Sequence, residues 1–147
     1  MIAIGCDHGG YALKCKIAEH LKSRNIKFKD FGIYENNPAD YPDIAAPVAR
    51  SVQSGECELG VLICGTGIGM SLAANKFKGI RAAACSETFS ARLTRQHNNS
   101  NILCLGARVI GEGTAIDMVD LFLDTGFEGG RHQARIDKIE ELEKEQK

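Results

Sequence analysis

The segment Leu59–Gly69, reading LGVLICGTGIG, restricts the possible folds of this chain more than any other stretch. From Leu59 to Cys64 it is apolar and partly β-branched with no polar alternation. That is the pattern of a strand buried on both faces, which occurs in parallel sheets with helices above and below. The run ends in Cys64 and opens at once into Gly65-Thr66-Gly67-Ile68-Gly69, with helical spacing beyond. Strand, glycine loop and helix in that order bring backbone N–H groups and a helix N-terminus to one spot, a cradle for negative charge. The unusual feature is a thiol at its rim.

The same alternation recurs along the chain. Met1–Gly5 is an apolar run ended by Cys6-Asp7-His8-Gly9-Gly10, after which Leu13, Ile17 and Leu21 share a helical face and Lys14, Glu19 and Lys22 point away. Ile26–Phe31 reads as an edge strand and Gly32–Pro42 as a loop, with Tyr34 and Tyr41 as aromatics suited to lining a site. Ile44, Val48 and Val52 mark a helix capped by Asp43. After the central unit, the pattern predicts a helix from about Gly69 to Phe77 and a strand over Ile80–Cys85. A helix capped by Ser86 follows, with Phe89, Leu93 and His97 on one face, and then a strand over Ile102–Leu105. Ile116, Val119 and Leu123 mark another helix, and beyond Gly129-Gly130 a last helix carries Arg131 and Arg135 four residues apart. Five strands alternating with helices predict one α/β domain over 1–147, a parallel sheet covered on both faces.

Composition removes several function classes. A 44% hydrophobic share in 147 residues fits one ordinary core, and a net charge of −1 leaves no general electrostatic case for nucleic acid. No apolar segment reaches the ~18 residues of a membrane span, and Met1–Gly5 lacks the form of a signal peptide, so the expected location is the cytoplasm. The six cysteines lie in expected strands and helices without metal-ligand spacing, and most of them read as reduced, small core residues.

The glycine loop fits neither common nucleotide motif well. Its third glycine arrives one residue early for a dinucleotide fingerprint, although Glu87 stands at about the distance of a ribose-binding acid, and no Lys-Ser/Thr pair follows as a Walker loop requires. Cys64 by itself reads as a core residue, but N–H dipoles at its position favour the thiolate, a base able to take a proton next to a carbonyl. The same N–H groups would then hold the enediolate oxygen.

In open α/β sheets ligands bind at the carboxyl ends of the strands, where Asp7, His8, Cys64–Gly69 and Arg108 fall. Asp7 can equally be a simple cap, His8 a solvated loop residue and His97 a helix-end histidine. As a set they offer hydrogen bonds to sugar hydroxyls and an imidazole to move a ring-oxygen proton. His97, at a helix end, has to fold back or come from a neighbouring chain. Arg131 and Arg135 lie in the first turns of a helix, opposing its dipole by ~0.3–1 kcal/mol each. A phosphate would compensate them; the plain alternative is an ordinary solvated, salt-bridged face, with Asp137 and Glu140 available.

Taken together these residues resemble the ribose-5-phosphate isomerase B family and its allose-6-phosphate and galactose-6-phosphate isomerase relatives. The resemblance spans nearly the whole chain: Gly5-Cys6-Asp7-His8-Gly9-Gly10, Asp40-Tyr41-Pro42-Asp43, Cys64–Gly69 running on through Ala73-Ala74-Asn75-Lys76, Gly79-Ile80-Arg81-Ala82, His97-Asn98, Gly106-Ala107-Arg108 and the paired arginines. It implies a three-layer α/β/α Rossmann-like sandwich and a sugar-phosphate substrate, with no metal or nucleotide cofactor. It implies a homodimer, or a dimer of dimers, whose active sites take residues from both chains, with the C-terminal helix contributing to the dimer. By position it assigns Cys64 as the base and Gly65, Thr66, Gly67, Ile68 and Gly69 as the anion hole, with Thr66 within it. His97 is assigned to ring opening, and Asp7, His8, Tyr41 and Asn98 to substrate contacts. Arg108, Arg131 and Arg135 match the remaining ligand contacts. Some relatives carry a glutamate after the loop in place of the cysteine; residue 64 puts this chain in the cysteine subgroup. The expected reaction is the interconversion of ribose 5-phosphate and ribulose 5-phosphate. The alternatives are isomerisation of allose 6-phosphate or galactose 6-phosphate, and a non-catalytic phosphosugar-binding module.

Overall fold

The computed structural model describes residues 1–146. In chain order the elements are β1 (Ile2–Cys6), a short 3-10 turn (His8–Gly10), α1 (Tyr11–Ser23), β2 (Phe28–Asp30), α2 (Tyr41–Gln53) and β3 (Leu59–Cys64). They continue with α3 (Ile68–Ala74), β4 (Ala82–Ala84), α4 (Thr88–Asn98), β5 (Ile102–Gly106), α5 (Glu112–Asp124) and α6 (Arg131–Lys144). The strands form one sheet in the order β2-β1-β3-β5-β4, and every neighbouring pair is parallel. β3 lies at the centre, as its unbroken apolar sequence requires, and the short strands β2 and β4 form the edges.

Alternate residues along each strand feed opposite layers. Val61 and Ile63 of β3 join Ile17, Leu21, Met118 and Phe122 under α1 and α5. Leu62 and Cys64 join Val48, Met70, Ala74 and Cys104 under α2 and α3. Consequently the loop after β3 leaves toward α3 on one face, while the chain after β1 and β5 leaves toward α1 and α5 on the other. Such diverging exits open a crevice at the carboxyl edge of the sheet.

Several local expectations are corrected. Helix α2 begins at Tyr41, with Asp40 in the cap position and Asp43 already inside the first turn; Pro42 at the start is what displaces the boundary. Tyr41 is therefore a helix residue, not a loop residue. Pro47 lies within α2, where it removes one backbone donor. Helix α4 is capped by Glu87 rather than Ser86, its carboxylate accepting from the Ser90 N–H at 2.7 Å. Helix α3 ends at Ala74, short of Phe77, because the chain tightens into successive turns there. Lys14 does not face solvent: it is 2% exposed, and its Nζ donates to both carboxylate oxygens of Asp30 at 2.9 and 2.8 Å. That ion pair ties α1 to edge strand β2. All six cysteines are free thiols.

Candidate active site

Cys64 ends β3 with its side chain only 5% exposed, and the N–H of Gly67 donates to its Sγ at 3.1 Å. The glycines that shape this contact are sterically required. Gly67 has φ +81°, and a Cβ there would lie 3.0 Å from the backbone of Leu105. A Cβ on Gly106 would come within 2.7 Å of the Thr66 backbone, so the loop after β3 lies flat on the end of β5. Ala107 and Arg108 donate their N–H groups to the carbonyls of Cys64 and Gly65 at 2.9 and 3.0 Å, fixing the loop from that side. The Ile68 N–H is taken by Thr66 Oγ1 at 3.2 Å. Among the described residues the N–H groups of Gly65, Thr66 and Gly69 have no acceptor. Because α3 has only seven residues, these individual donors, more than a helix macrodipole, supply the positive end of the site.

Four further expected residues surround this loop. Asp7 is buried, and its Oδ1 accepts from the Gly9 and Gly10 N–H groups at 2.9 and 3.2 Å, so it is indeed a cap. The turn it stabilises lies against the loop, since a Cβ on Gly9 would be 3.4 Å from the Gly65 nitrogen. His8, next in the turn, is exposed, and its Nδ1 accepts from the Ala39 N–H at 3.3 Å. The Tyr41 ring packs so closely on Gly69 that a Cβ there would be 2.7 Å from it. Arg108 runs alongside Gly65, its Cδ and Nη1 each 3.6 Å from where a Cβ would stand.

The remaining expected residues are not brought to this loop within one chain. Helix α4 runs back from the carboxyl end of β4 to the amino end of β5, which leaves His97 and Asn98 at the opposite edge of the sheet from Cys64. The start of α6 joins them there: the Glu128 N–H donates to the Gln96 carbonyl at 3.1 Å, and the His97 and His132 rings stack with centroids 4.2 Å apart. Arg131 and Arg135 are exposed on α6. Among the described residues no carboxylate pairs with either, because Asp137 accepts from Gln133 at 2.7 Å and Glu140 faces Arg81 at 3.7 Å. Neither expected salt bridge forms, and both arginines remain exposed and unpaired among the described residues.

Two members of this second cluster were missed from sequence, Glu128 and His132. Their four-residue spacing, straddling Gly129-Gly130, was the available signal. Burial, then the neighbouring His97 and Arg131, lowers the His132 pKa below the usual 6.5, only partly opposed by Glu128, so this ring is a neutral partner for His97 at pH 7. Behind Cys64, the Cys104 thiol is pushed up by complete burial and then by Cys64 and Cys85, which excludes it as a competing base.

Known proteins share this fold. The family profile described as Ribose/Galactose Isomerase matches residues 2–139. The chain is 50% identical over 142 residues to ribose-5-phosphate isomerase B of Escherichia coli (strain K12), covering 97% of this chain and 95% of that protein. Its structure is similar to that of Clostridium thermocellum ribose-5-phosphate isomerase B, with a TM-score of 0.96 and 53% identity over 98% of this chain and 97% of that one. It is also similar to the Mycoplasma genitalium ribose-5-phosphate isomerase B solved with bound ribulose-5-phosphate, with a TM-score of 0.94 and 48% identity over 99% and 97%.

Proposed function

The chain belongs to the ribose/galactose isomerase family, and from that membership we propose that it interconverts D-ribose 5-phosphate and D-ribulose 5-phosphate with Cys64 as the base. The observation that carries this reading is the Cys64 sulfur under the Gly67 N–H, beside a row of unpaired loop donors. In the open-chain aldose, the Cys64 thiolate takes the proton from C2 and the electron pair forms the enediolate. The Gly65, Thr66 and Gly69 N–H groups hold the developing oxygen charge, the largest electrostatic demand of the reaction. The thiol then returns the proton to C1, while a hydroxyl proton passes from O2 to O1. His97 opens the furanose ring by moving a proton at the ring oxygen, and Asp7, His8, Tyr41 and Asn98 bind hydroxyls. Arg131 and Arg135, with Arg108, grip the phosphate as charge-assisted donors.

Because His97 and the α6 arginines lie at the far edge of their own sheet, the complete site is built from two copies, one supplying the Cys64 loop and the other His97, Asn98, Arg131 and Arg135. Exposed apolar side chains accompany both halves: Tyr41, Ile68 and Leu72 beside the loop, and Ile139 and Leu142 on α6. A homodimer buries them, with residues 1–147 acting as one isomerase domain. Six free thiols favour a reducing compartment, and we assign the enzyme to the cytoplasm.

A panel of ribose, allose and galactose phosphates assayed in deuterated water tests the reading. Label incorporation and turnover highest on ribose 5-phosphate support it. A preference for a hexose phosphate moves the chain to another activity of the same family, and binding without exchange leaves no isomerase.

A further inference from the structure

His97, Glu128 and His132 present three donor atoms, two imidazole Nε2 and one carboxylate Oε1, that all lie within 4.8 Å of one another. The carboxylate oxygen stands 3.6 Å from the His97 nitrogen and 3.4 Å from that of His132. Both separations exceed the usual hydrogen-bond range. The His132–Glu128 separation matches the roughly 3.4 Å edge of a tetrahedron whose bonds to a central ion are ~2.1 Å, the length of zinc–nitrogen and zinc–oxygen bonds. Two imidazoles and a carboxylate suit zinc, copper or nickel, whereas magnesium and calcium prefer oxygen alone.

We propose that His97, Glu128 and His132 form a binding site for a divalent transition-metal ion, zinc above all, and that its occupancy inhibits the enzyme by withdrawing His97 from proton transfer. The inhibition rests on the role given to His97 under Proposed function; the binding does not. His132 is buried and held in place by its surroundings, so it is the fixed ligand. The two rings stand 9° from parallel, and from that stack their lone pairs cannot meet at one ion. The His97 side chain is 38% exposed at the end of α4, free to tip about its side-chain bonds until its Nε2 converges with the other two atoms. Glu128 supplies the negative charge of the donor set, and water takes the fourth position.

The test uses the whole protein without substrate, in buffer free of phosphate and chelator. Zinc affinity is measured by calorimetry, and cobalt, as a spectroscopic stand-in, reports the ligand type. The half-exposed Glu128 allows Glu128→Gln without loss of fold, and His132→Asn is the second variant. Zinc binding weakened at least ~10-fold by each change, with a cobalt spectrum free of thiolate charge-transfer bands, supports the site. Affinity unchanged in both variants, or a thiolate band, overturns it by placing the ion on cysteine. Inhibition of the wild type that a chelator reverses and Glu128→Gln resists supports the second half of the proposal. Zinc bound at these residues with turnover untouched overturns it, and with it the role of His97, while the metal site stands.

Discussion

The Cys64 sulfur takes the Gly67 N–H, and that contact depends on a residue with no side chain. Two expectations follow at this scale. Cys64→Ser keeps the shape but removes the base, and kcat falls by ~10²–10⁴ while the affinity for a phosphosugar ligand stays within a few fold. Steady-state kinetics with a parallel ligand titration measures the two separately; wild-type kcat in the variant rules out Cys64 as the base. Gly67→Ala forces a β-carbon to a left-handed backbone and against the Leu105 backbone, so it lowers stability by ~1–3 kcal/mol and also lowers kcat. Urea melts and the same assay report both. For the phosphate grip, Arg131→Ala raises KM for ribose 5-phosphate by roughly ten-fold or more, the loss of a charge-assisted contact, with a smaller change in kcat.

Among the elements, α1 and α5 are held side by side by more than apolar packing. Asp120 of α5 accepts from His20 at 2.8 Å and from Arg24 at 2.6 Å, and Arg24 also reaches Asp124 at 3.0 Å. Burial by itself would raise the Asp120 pKa, but the bonds from His20 and Arg24 outweigh it and hold the carboxyl below its usual 3.8. A depressed folded pKa means that the unfolded chain binds the proton more readily. The contribution is therefore fully present above about pH 4 and is lost as pH falls through the folded pKa. The groups are partly exposed, so the gain is at most ~1 kcal/mol. Asp120→Asn should show that deficit in urea melts at pH 7 and a smaller one at pH 2; an equal deficit at both assigns the effect to packing. At this same scale the helix boundaries were the least legible in the sequence. Asp43 and Ser86 fit the cap rules, yet Pro42 and the longer Glu87 carboxylate moved the caps to neighbouring residues.

For the whole molecule, the proposed division of the site between two edges of one sheet makes a sharp demand. If each site takes Cys64 from one copy and His97 from the other, inactive Cys64→Ala and inactive His97→Asn chains complement each other. The mixed dimer has one intact site and one doubly altered site. Random exchange of equal amounts should restore roughly a quarter of the wild-type rate per chain, whereas sites contained within single chains would recover nothing. The free arginines on α6 support the same arrangement. With Asp137 and Glu140 already engaged, two exposed cations at a helix start are open to a ligand phosphate, as the proposed function requires.

The sequence by itself determined the sheet, because unbroken apolar runs alternating with amphipathic helices have few solutions other than a covered parallel sheet, and it located the Cys64 loop, because a glycine run after a buried strand is a local signal. It also singled out His97, Arg131 and Arg135 as residues in need of a partner. Only the tertiary structure decided that these three stand apart from Cys64 within one chain, that Glu128 and His132 gather around His97, and that Lys14 is buried on Asp30. Those facts depend on which helix ends the folded sheet places at which edge. Helical periodicity records which face of a helix is apolar; it carries no information about what meets its ends.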